Sequence, residues 1–392
     1  MLPDYGWGMA VGQLMRTTLA GLLVSTALTS CSGSGEDSGQ AATSSSGSGS
    51  VSGASGQTPA RGSPGSRGTA GPTGSSGPVL PAGNGSLTAQ VLARLGAPYL
   101  TDSQVPTAAR GTWKGSQVAA IAQGEDVTLV IKESQGWKIV GGWWPSKGLP
   151  GPYLGGRRHV LALGSDARQG QDIQRSRADT IQLIGVDGQG GGGILGMPRD
   201  SYVRLPSGRQ GKINGAMPAG GPTAMVSAVS STTGIPIQGY LLSDFVGFQR
   251  AVHAIGGITV TLDRPVKDIP AGTRNLGGKQ ALTLARERKT LPRGDFDRSA
   301  NQGLLLMSGM IKLRGEGPQR LPALMTAISP HVSTDLTPAQ VITLLASAYQ
   351  VNPTRVGRLV ADGQPVMIGG ASVVQLTGKA SSQLASFRDG NL

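Results

Sequence analysis

The chain has 392 residues, a length that suits one large domain or two, and its formal net charge at pH 7 is +13. Its single cysteine excludes a disulfide-stabilised fold and a zinc–cysteine cluster, and its three histidines lack the spacing of a helical metal site. Residues 1–90 contain three basic and three acidic side chains, so the excess positive charge lies on residues 91–392. This basic part indicates an anionic partner, with a surface kept positive for solubility as the alternative.

Residues 15–31 have the pattern of a secretion signal. Arg16 supplies a positive charge, an apolar stretch too short to span a bilayer follows, and the segment ends in Leu28-Thr29-Ser30-Cys31, which resembles a bacterial lipobox. We therefore expect residues 1–31 to be a lipoprotein-type signal segment, with lipidated Cys31 anchoring the protein to a membrane outside the cytoplasm. An ordinary signal peptide with a chance cysteine is the alternative. Because residues 1–14 lack a clear positive region, translation is expected to begin at Met15.

The next two segments differ sharply in composition. Residues 32–88 consist mainly of Gly, Ser, Pro, Thr and Ala, which cannot bury enough apolar surface to fold, so they are predicted to be a disordered tether. Residues 89–150 contain a short helical pattern and two β-branched runs with hairpin spacing. They are predicted to be a small, mostly β accessory module without an assigned function. Trp143 and Trp144 at its end fit core or interface packing better than stacking on a sugar.

Strand and helix patterns alternate from residue 151 onwards, which predicts an α/β layered domain over residues 151–392. The helical patterns cover residues 222–233, 244–255, 278–288, 295–315, 318–328 and 337–349. Ligands of such sheets favour the ends of strands. Asp166, Arg168 and Arg199 directly follow apolar strand patterns and are therefore candidate site residues.

The segment ARERKTLPRGDFDRSANQ holds eight charged side chains of interleaved sign. A helix that starts at Asp295 places Asp295, Arg298 and Gln302 on one face. Arg286 and Arg288 can address one ligand only if the preceding helix ends near residue 286. The mixture suits a metal-bound pyrophosphate, because arginines bind phosphate oxygens and carboxylates hold a metal or accept a proton. A solvated ion-pair network is the alternative.

From about residue 157 to 390 the chain resembles the LytR-CpsA-Psr family of cell-wall glycopolymer ligases. Each block that carries the resemblance is weak alone, whereas seven blocks in order are specific. The blocks are Leu163-Gly164-Ser165-Asp166-Ala167-Arg168, Arg177-Ala178-Asp179-Thr180-Ile181, Pro198-Arg199-Asp200-Ser201, Lys212-Ile213-Asn214, Gly256-Gly257-Ile258-Thr259-Val260, Arg286-Glu287-Arg288, and Gly294-Asp295-Phe296 with Arg298 and Gln302.

The resemblance implies a fold, an activity and a cofactor. The implied fold is a central mixed β-sheet flanked by helices in three layers, with an apolar tunnel for a prenyl chain that helices within 222–255 and 295–328 could line. The implied activity transfers an anionic glycopolymer from a polyprenyl-pyrophosphate carrier to peptidoglycan, which forms a phosphodiester link and releases polyprenyl phosphate. Mg²⁺ or Mn²⁺ is the implied cofactor, and the carrier-linked polymer, peptidoglycan and the membrane are the implied partners.

The resemblance also implies roles for single residues. Asp166, Asp295 and Arg199 are the implied catalytic residues, with Asp166 favoured as the base, and Asp166 and Asp179 are the implied metal ligands. The implied pyrophosphate-binding residues are Arg168, Arg199, Arg286, Arg288, Arg298 and Gln302.

Two departures and three alternatives stand beside this interpretation. Family members commonly begin with a membrane-spanning helix, and some carry a further arginine where Tyr202 and Val203 stand here. The same site could serve a pyrophosphatase that releases the polymer, or the basic surface could belong to a non-catalytic module that binds wall polymer. A nucleic-acid regulator is disfavoured by the signal segment, by the lack of a helix-turn-helix pattern and by an aromatic content of only 4%.

Overall fold

The structure is a computed structural model that describes residues 85–392. The predictions for the signal segment, for lipidation at Cys31 and for residues 32–84 of the tether lie outside these residues and stay predictions. No helix within residues 85–392 combines the length and the apolar character that a bilayer span requires.

Residues 85–143 form one short helix and a small antiparallel sheet. Helix α1 (Ala89–Leu95) begins after Thr88, whose hydroxyl accepts a hydrogen bond from Val91 N. The sheet has the strand order β1-β5-β4-β3-β2. Its strands are β1 (Tyr99–Leu100), β2 (Arg110–Trp113), β3 (Ser116–Gln123), β4 (Asp126–Glu133) and β5 (Gly136–Trp143). Lys114 and Gly115 join β2 to β3 with positive φ at both residues, as a tight hairpin turn of this hand requires.

Twelve further strands follow along the chain. They are β6 (Arg158–Ser165), β7 (Ala178–Val186), β8 (Gly192–Gly196), β9 (Tyr202–Arg204), β10 (Gln210–Lys212), β11 (Tyr240–Ser243), β12 (Ile258–Leu262), β13 (Gly272–Leu276), β14 (Ser333–Thr334), β15 (Val356–Val360), β16 (Gly363–Ile368) and β17 (Ala371–Leu376). Six of them build the central sheet in the order β14-β11-β6-β7-β8-β15. The β6–β11 and β8–β15 pairs are parallel, whereas β6–β7, β7–β8 and β11–β14 are antiparallel. The predicted central mixed sheet is thereby confirmed.

Helices cover both faces of this sheet. They are α2 (Ala216–Thr233), α3 (Phe245–Ala254), α4 (Gly278–Arg286), α5 (Asp295–Glu316), α6 (Leu321–Ile328), α7 (Pro338–Gln350) and α8 (Gly378–Ser386). Strand alternation sends Leu161 and Leu163 of β6 into a core with α2 and α8. Val160, which directly precedes Leu161, joins a second core with α6 and α7 on the opposite face. The sheet is therefore the middle of three layers, which agrees with the predicted architecture.

The accessory sheet packs on the outside of the α6–α7 layer. Trp113, Val118 and Leu129 of this sheet share a core with Leu321 of α6 and Val341 of α7. Each side chain of this size contributes roughly 1.5–3 kcal/mol when fully buried. The accessory sheet is therefore joined to the central domain by a continuous apolar interface.

Most helices lie where the sequence pattern predicts them, and the misses concentrate at the C-terminus. The pattern of residues 295–315 corresponds to α5 (Asp295–Glu316), and that of 337–349 to α7 (Pro338–Gln350). Strands β15–β17 and helix α8 are not predicted from the sequence pattern. Trp144 is buried, and Trp143 packs against Tyr349 of α7 with ring centroids 6.4 Å apart. Packing rather than sugar stacking therefore accounts for both tryptophans.

Candidate functional site

A β-bulge positions Asp179 at the start of β7, one of the inner strands of the central sheet. In the pairing of β6 with β7, Gly164 opposes Thr180 while the next residue, Ser165, opposes Ala178, so Asp179 is the extra residue. Side chains of a regular strand alternate between the two faces, but Asp179 and Thr180 both line the same cavity. Bulges re-aim side chains in this manner beside functional sites. The carboxylate of Asp179 therefore belongs to the helix-covered face that holds this cavity.

Two arginines and two aspartates form an ion-pair cluster at this bulge. Arg199 Nη1 donates to Asp179 Oδ1 at 2.5 Å, and Arg298 Nη1 lies 3.8 Å from Asp179 Oδ2. Arg298 also forms an ion pair with Asp295, three residues earlier on α5, and Arg199 Nε lies 3.9 Å from Asp295 Oδ1. Each aspartate therefore contacts both arginines. The structure brings together four of the predicted site residues from three separate parts of the sequence.

Burial and charge act on the two arginines in opposite directions. Burial disfavours the charge of Arg199, but Asp179, Asp295 and Asp200 outweigh it and raise the pKa of Arg199 above its usual value. Arg298 is only 5% exposed, and its burial lowers the pKa of its guanidinium despite the neighbouring aspartates. Both side chains stay cationic at physiological pH, because a guanidinium does not deprotonate there. The cluster is thus a fixed array of charges.

Gln302 joins three elements beneath the cluster. Its Nε2 donates to Ala285 O at the end of α4, at 3.0 Å, and to Asp179 O at 3.3 Å. The side chain is buried and lies one helical turn after Arg298 on α5, so both face the sheet. With its amide held by these two carbonyls, Gln302 fixes the bulge and the end of α4 relative to α5.

Arg286 and Arg288 can address one ligand only if the helix before them ends near residue 286. Helix α4 meets this condition. The last helical residue is Arg286, and Glu287 has an extended backbone conformation. Side chains that flank an extended residue point to the side opposite to its own. Arg286 and Arg288 are accordingly exposed and line the cavity, while Glu287 is buried.

Glu287 holds this turn in shape. Its Oε1 accepts hydrogen bonds from Arg288 N and Thr290 N, both at 3.0 Å, and its Oε2 lies 2.8 Å from Lys267 Nζ. The hydrogen bond from Lys267, followed by the one from Thr290 N, lowers the pKa of Glu287 to about 2. The sequence assigns no role to Glu287 and gives no signal for Lys267. Only the three-dimensional contact between them reveals their function in the turn.

An aromatic residue steadies the other arginine of the turn. The guanidinium carbon of Arg286 lies 4.2 Å from the ring centroid of Phe245, the first residue of α3, in a cation–π arrangement. Both residues line the cavity. The sequence did not predict a role for Phe245, since an isolated aromatic residue at the start of a helix forms no recognisable motif.

The cluster and the turn lie at the charged end of a large apolar cavity. The cavity has a volume of about 570 Å³ and lies between the sheet and the helical layer. Besides the charged residues, it is lined by apolar side chains of α3, α5, α6 and α7, such as Phe248, Leu305, Leu324 and Leu344. The prediction that residues 222–233 line a tunnel is wrong. Helix α2 packs its apolar side chains, including Met225, against the opposite face of the sheet.

Asp166 and Arg168 lie beside this site rather than in the cluster. Asp166 Oδ1 accepts a hydrogen bond from Arg177 N at 2.9 Å, and Asp166 N donates to Arg177 O at the same distance. Asp166 is half-buried, Arg168 is exposed, and neither is among the described residues that line the cavity. Asp166 directly follows β6, the strand paired with the one that carries Asp179, so both residues lie near the same end of this strand pair.

Asp200 and Lys212 extend the charged network away from the cavity. Lys212 Nζ lies 3.0 Å from Asp200 Oδ1, and Asp200 Oδ2 lies 4.0 Å from Arg199 Nε. Within residues 85–392, no three histidine, cysteine or acidic side chains come together as a candidate metal site. Oxygen ligands beyond one or two carboxylates would have to come from a bound molecule or from water.

The fold and the site define an α/β protein with a mixed arginine–aspartate cluster at the charged end of an apolar cavity. Residues 154–387 match the LytR_cpsA_psr family, and the chain belongs to this family. The expectation drawn from the seven sequence blocks is thereby confirmed.

Two kinds of relative have names that describe a role, namely teichoic acid transferases and cell wall biosynthesis proteins. A polyisoprenyl-teichoic acid–peptidoglycan teichoic acid transferase, TagU of Oceanobacillus iheyensis, is 32% identical over 201 residues, which is 48% of this chain and 62% of TagU. A probable cell wall biosynthesis protein, LcpB of Corynebacterium glutamicum, is 34% identical over 160 residues, 36% of this chain and 38% of LcpB. The matches to these relatives thus cover less than two thirds of their length.

Solved structures share the fold. TagV of B. subtilis superimposes with a TM-score of 0.51 at 24% sequence identity and covers 60% of this chain and 98% of its own. A structure of TagT bound to LI-WTA superimposes with a TM-score of 0.51 at 22% identity and covers 69% of this chain and 99% of its own.

Proposed function

We propose that this protein transfers an anionic glycopolymer from a polyprenyl-pyrophosphate carrier to peptidoglycan. The observation that carries the proposal is the position of the arginine cluster at the charged end of the apolar cavity. A prenyl pyrophosphate has the same arrangement, with an anionic head joined to a long hydrocarbon chain. The transferase name of the TagU relatives and the TagT structure with LI-WTA support the same substrate class.

The charge of the site matches an anionic head group. Four arginines, 199, 286, 288 and 298, line the cavity; Arg199 and Arg298 form ion pairs with Asp179 and Asp295, whereas Arg286 and Arg288 form no ion pair among the described residues. Arginine binds phosphate oxygens through paired hydrogen bonds. In this proposal the exposed Arg286 and Arg288 contact the pyrophosphate, and the buried Arg298 with Arg199 holds the base of the site.

The proposed reaction is a phosphoryl transfer. A hydroxyl oxygen of peptidoglycan attacks the phosphorus that carries the glycopolymer, a new P–O bond forms, and the bond to the bridging oxygen breaks. Polyprenyl phosphate leaves with that oxygen, and a carboxylate accepts the hydroxyl proton. Positioning and charge neutralisation supply most of the rate enhancement in such reactions. Asp166 is the favoured base, since it lies beside the cluster and, among the described residues, its carboxylate forms no ion pair with an arginine side chain.

A magnesium ion fits the residues at this end of the strand pair. Magnesium uses one or two carboxylates and takes its other oxygens from phosphate and water. Asp166, directly after β6, and Asp179, on the paired strand β7, would supply such carboxylates. When bound, the ion would neutralise charge on the pyrophosphate. Mn²⁺ accepts the same oxygen ligands.

The proposed location is outside the cytoplasm, on a membrane. The lipobox at Cys31 supports attachment through a lipid, and the long Gly/Ser-rich segment after it supports a tether between the membrane and the folded part. A nucleic-acid partner is not part of this proposal.

The test is a reconstituted transfer reaction with the full chain. The protein is incubated with a synthetic polyprenyl-pyrophosphate glycan, peptidoglycan fragments and Mg²⁺, and products are identified by mass spectrometry. We expect a joined product in the native protein and in Arg320→Ala, whose exposed arginine does not line the cavity. Arg288→Ala is expected to abolish it. Release of glycan alone would point to a pyrophosphatase, and binding without turnover would point to a polymer-binding module.

A further inference from the structure

The accessory sheet is hydrogen-bonded to a helix that forms the cavity wall. Thr112 N of β2 donates to Thr326 Oγ1 of α6 at 2.7 Å. Two residues later, Lys114 N donates to Ser329 Oγ at 2.9 Å, and Lys114 Nζ donates to Ser329 O at 2.6 Å. Strand β2 and the turn after it are therefore fixed to α6 and to Ser329, the residue directly after that helix. The cavity-lining residues Leu324 and Ile328 belong to the same helix.

The approach of β2 to α6 is unusually close at one point. A Cβ atom placed on Gly111 would lie 2.2 Å from Pro322 O and 2.8 Å from Thr326 Oγ1. Any side chain other than hydrogen would force the strand away from the helix. The absence of a side chain at Gly111 brings the neighbouring residues of β2 within reach of the space behind α6.

Trp113, the last residue of β2, uses this approach to line the cavity. Its side chain is only 1% exposed and belongs to the core that includes Ile328, Val332 and Leu313. Leu313 lies fifteen residues after Arg298 on α5, which corresponds to roughly 22 Å along the helix. Trp113 is therefore part of the apolar end of the cavity, away from the arginine cluster.

The indole of Trp113 contains a polar group in an unfavourable environment. Its Nε1 is buried and has no hydrogen-bond partner among residues 85–392. A buried unpaired donor costs about 1–3 kcal/mol, which a phenylalanine at this position would avoid. By contrast, Trp144, which directly follows β5 of the accessory sheet, donates from Nε1 to Thr128 Oγ1 at 2.8 Å. An indole is therefore less favourable for the stability of the core at position 113 than at position 144.

We propose that Trp113 contacts the hydrocarbon chain of the bound lipid, so that the accessory sheet forms part of the substrate-binding wall. The proposal rests on the proposed function, because it requires an apolar chain in the cavity. It assigns a role to residues 89–150, for which the sequence offered none. An aromatic wall residue at the apolar end would favour chains long enough to reach it.

The test uses the full chain and alkyl phosphates that carry bromine at the end of the chain. Bromine quenches indole fluorescence at contact distance, so emission reports whether the chain end reaches a tryptophan. Binding is measured independently by calorimetry. We expect quenching of the native protein only by chains above a certain length. Trp113→Phe should lose most of this quenching and keep its affinity, while Trp144→Phe, which changes a buried tryptophan outside the cavity, should keep the quenching.

The possible outcomes separate the two proposals. Calorimetric binding without quenching in the native protein, or equal quenching in Trp113→Phe, would refute the role of Trp113 and leave the lipid cavity intact. Absence of binding by every alkyl phosphate and by farnesyl phosphate would overturn both proposals. Thermal unfolding of each variant shows whether the fold is retained, and the native protein tests the contact without any substitution.

Discussion

Arg199 Nη1 lies 2.5 Å from Asp179 Oδ1, and this contact joins the segment after β8 to the bulge at the start of β7. Arg298 approaches the other oxygen of the same carboxylate from α5. Ion pairs at Asp179 therefore join strand β7, the segment after β8 and helix α5. Because the carboxylate is held between two guanidinium groups, its position is defined before any ligand binds.

The two arginines Arg288 and Arg298 should differ in their effect on stability. Arg298 is buried, so Arg298→Ala removes a partner of both Asp179 and Asp295 and is expected to lower the free energy of unfolding by about 3 kcal/mol. Arg288 is exposed, and Arg288→Ala should change that free energy by less than about 0.5 kcal/mol while it weakens pyrophosphate binding. Urea unfolding and calorimetric titration measure the two effects. Equal destabilisation by both substitutions would contradict the assignment.

Glu287 should make stability depend on pH in a defined window. Its pKa falls from 4.5 to about 2 on folding, so between these values the unfolded chain binds more protons than the folded one. The stabilisation by Glu287 is therefore complete above pH 4.5 and is lost as the pH falls towards 2. Unfolding of the native protein and of Glu287→Gln, measured across this range, should show a difference that shrinks with decreasing pH. A pH-independent difference would argue against the ion pair with Lys267.

Gly309 offers a way to fill the cavity without a steric clash. It lies in α5, lines the cavity, and a Cβ atom at this position would meet no heavy atom within 4 Å. Gly309→Leu should exclude long prenyl phosphates and leave inorganic pyrophosphate binding unchanged. Gly315→Leu is the matched control, because Gly315 lies on the exposed side of the same helix with equal space around it. Calorimetric titration with short and long prenyl phosphates distinguishes the two. Equal affinities in both variants would place the chain elsewhere.

Gly111 should be required for the docking of the accessory sheet. Gly111→Ala introduces a methyl group that overlaps Pro322 O and is expected to destabilise the protein by about 1–3 kcal/mol. Gly315→Ala makes the same change in an open helical position and should instead stabilise by roughly 0.5–1 kcal/mol. Urea unfolding gives both values. If Gly111→Ala were neutral, the close contact between β2 and α6 would not contribute to stability.

Local sequence patterns were sufficient for most of the helices and for part of the site. Asp295, Arg298 and Gln302 share one face of α5 because a helix repeats every 3.6 residues, and this periodicity is visible in the sequence. The sequence indicated that Arg286 and Arg288 could address one ligand if α4 ended near residue 286, but it did not predict that the helix ends there. The C-terminal strands β15–β17 escaped prediction, because β15 pairs with β8 more than 150 residues earlier and its pattern has no local partner.

The sequence by itself determined the family and the types of charged side chain available to the site, since arginines and carboxylates in ordered blocks are local features. Tertiary structure alone decided which of these residues meet. The bulge at Asp179 depends on the register between two strands, and the buried position of Glu287 depends on Lys267 from a distant segment. The place of Trp113 in the cavity wall depends on the contact of two sheets through α6. Such contacts arise from packing between segments that are separated in sequence, so they cannot be predicted from a residue's sequence neighbours.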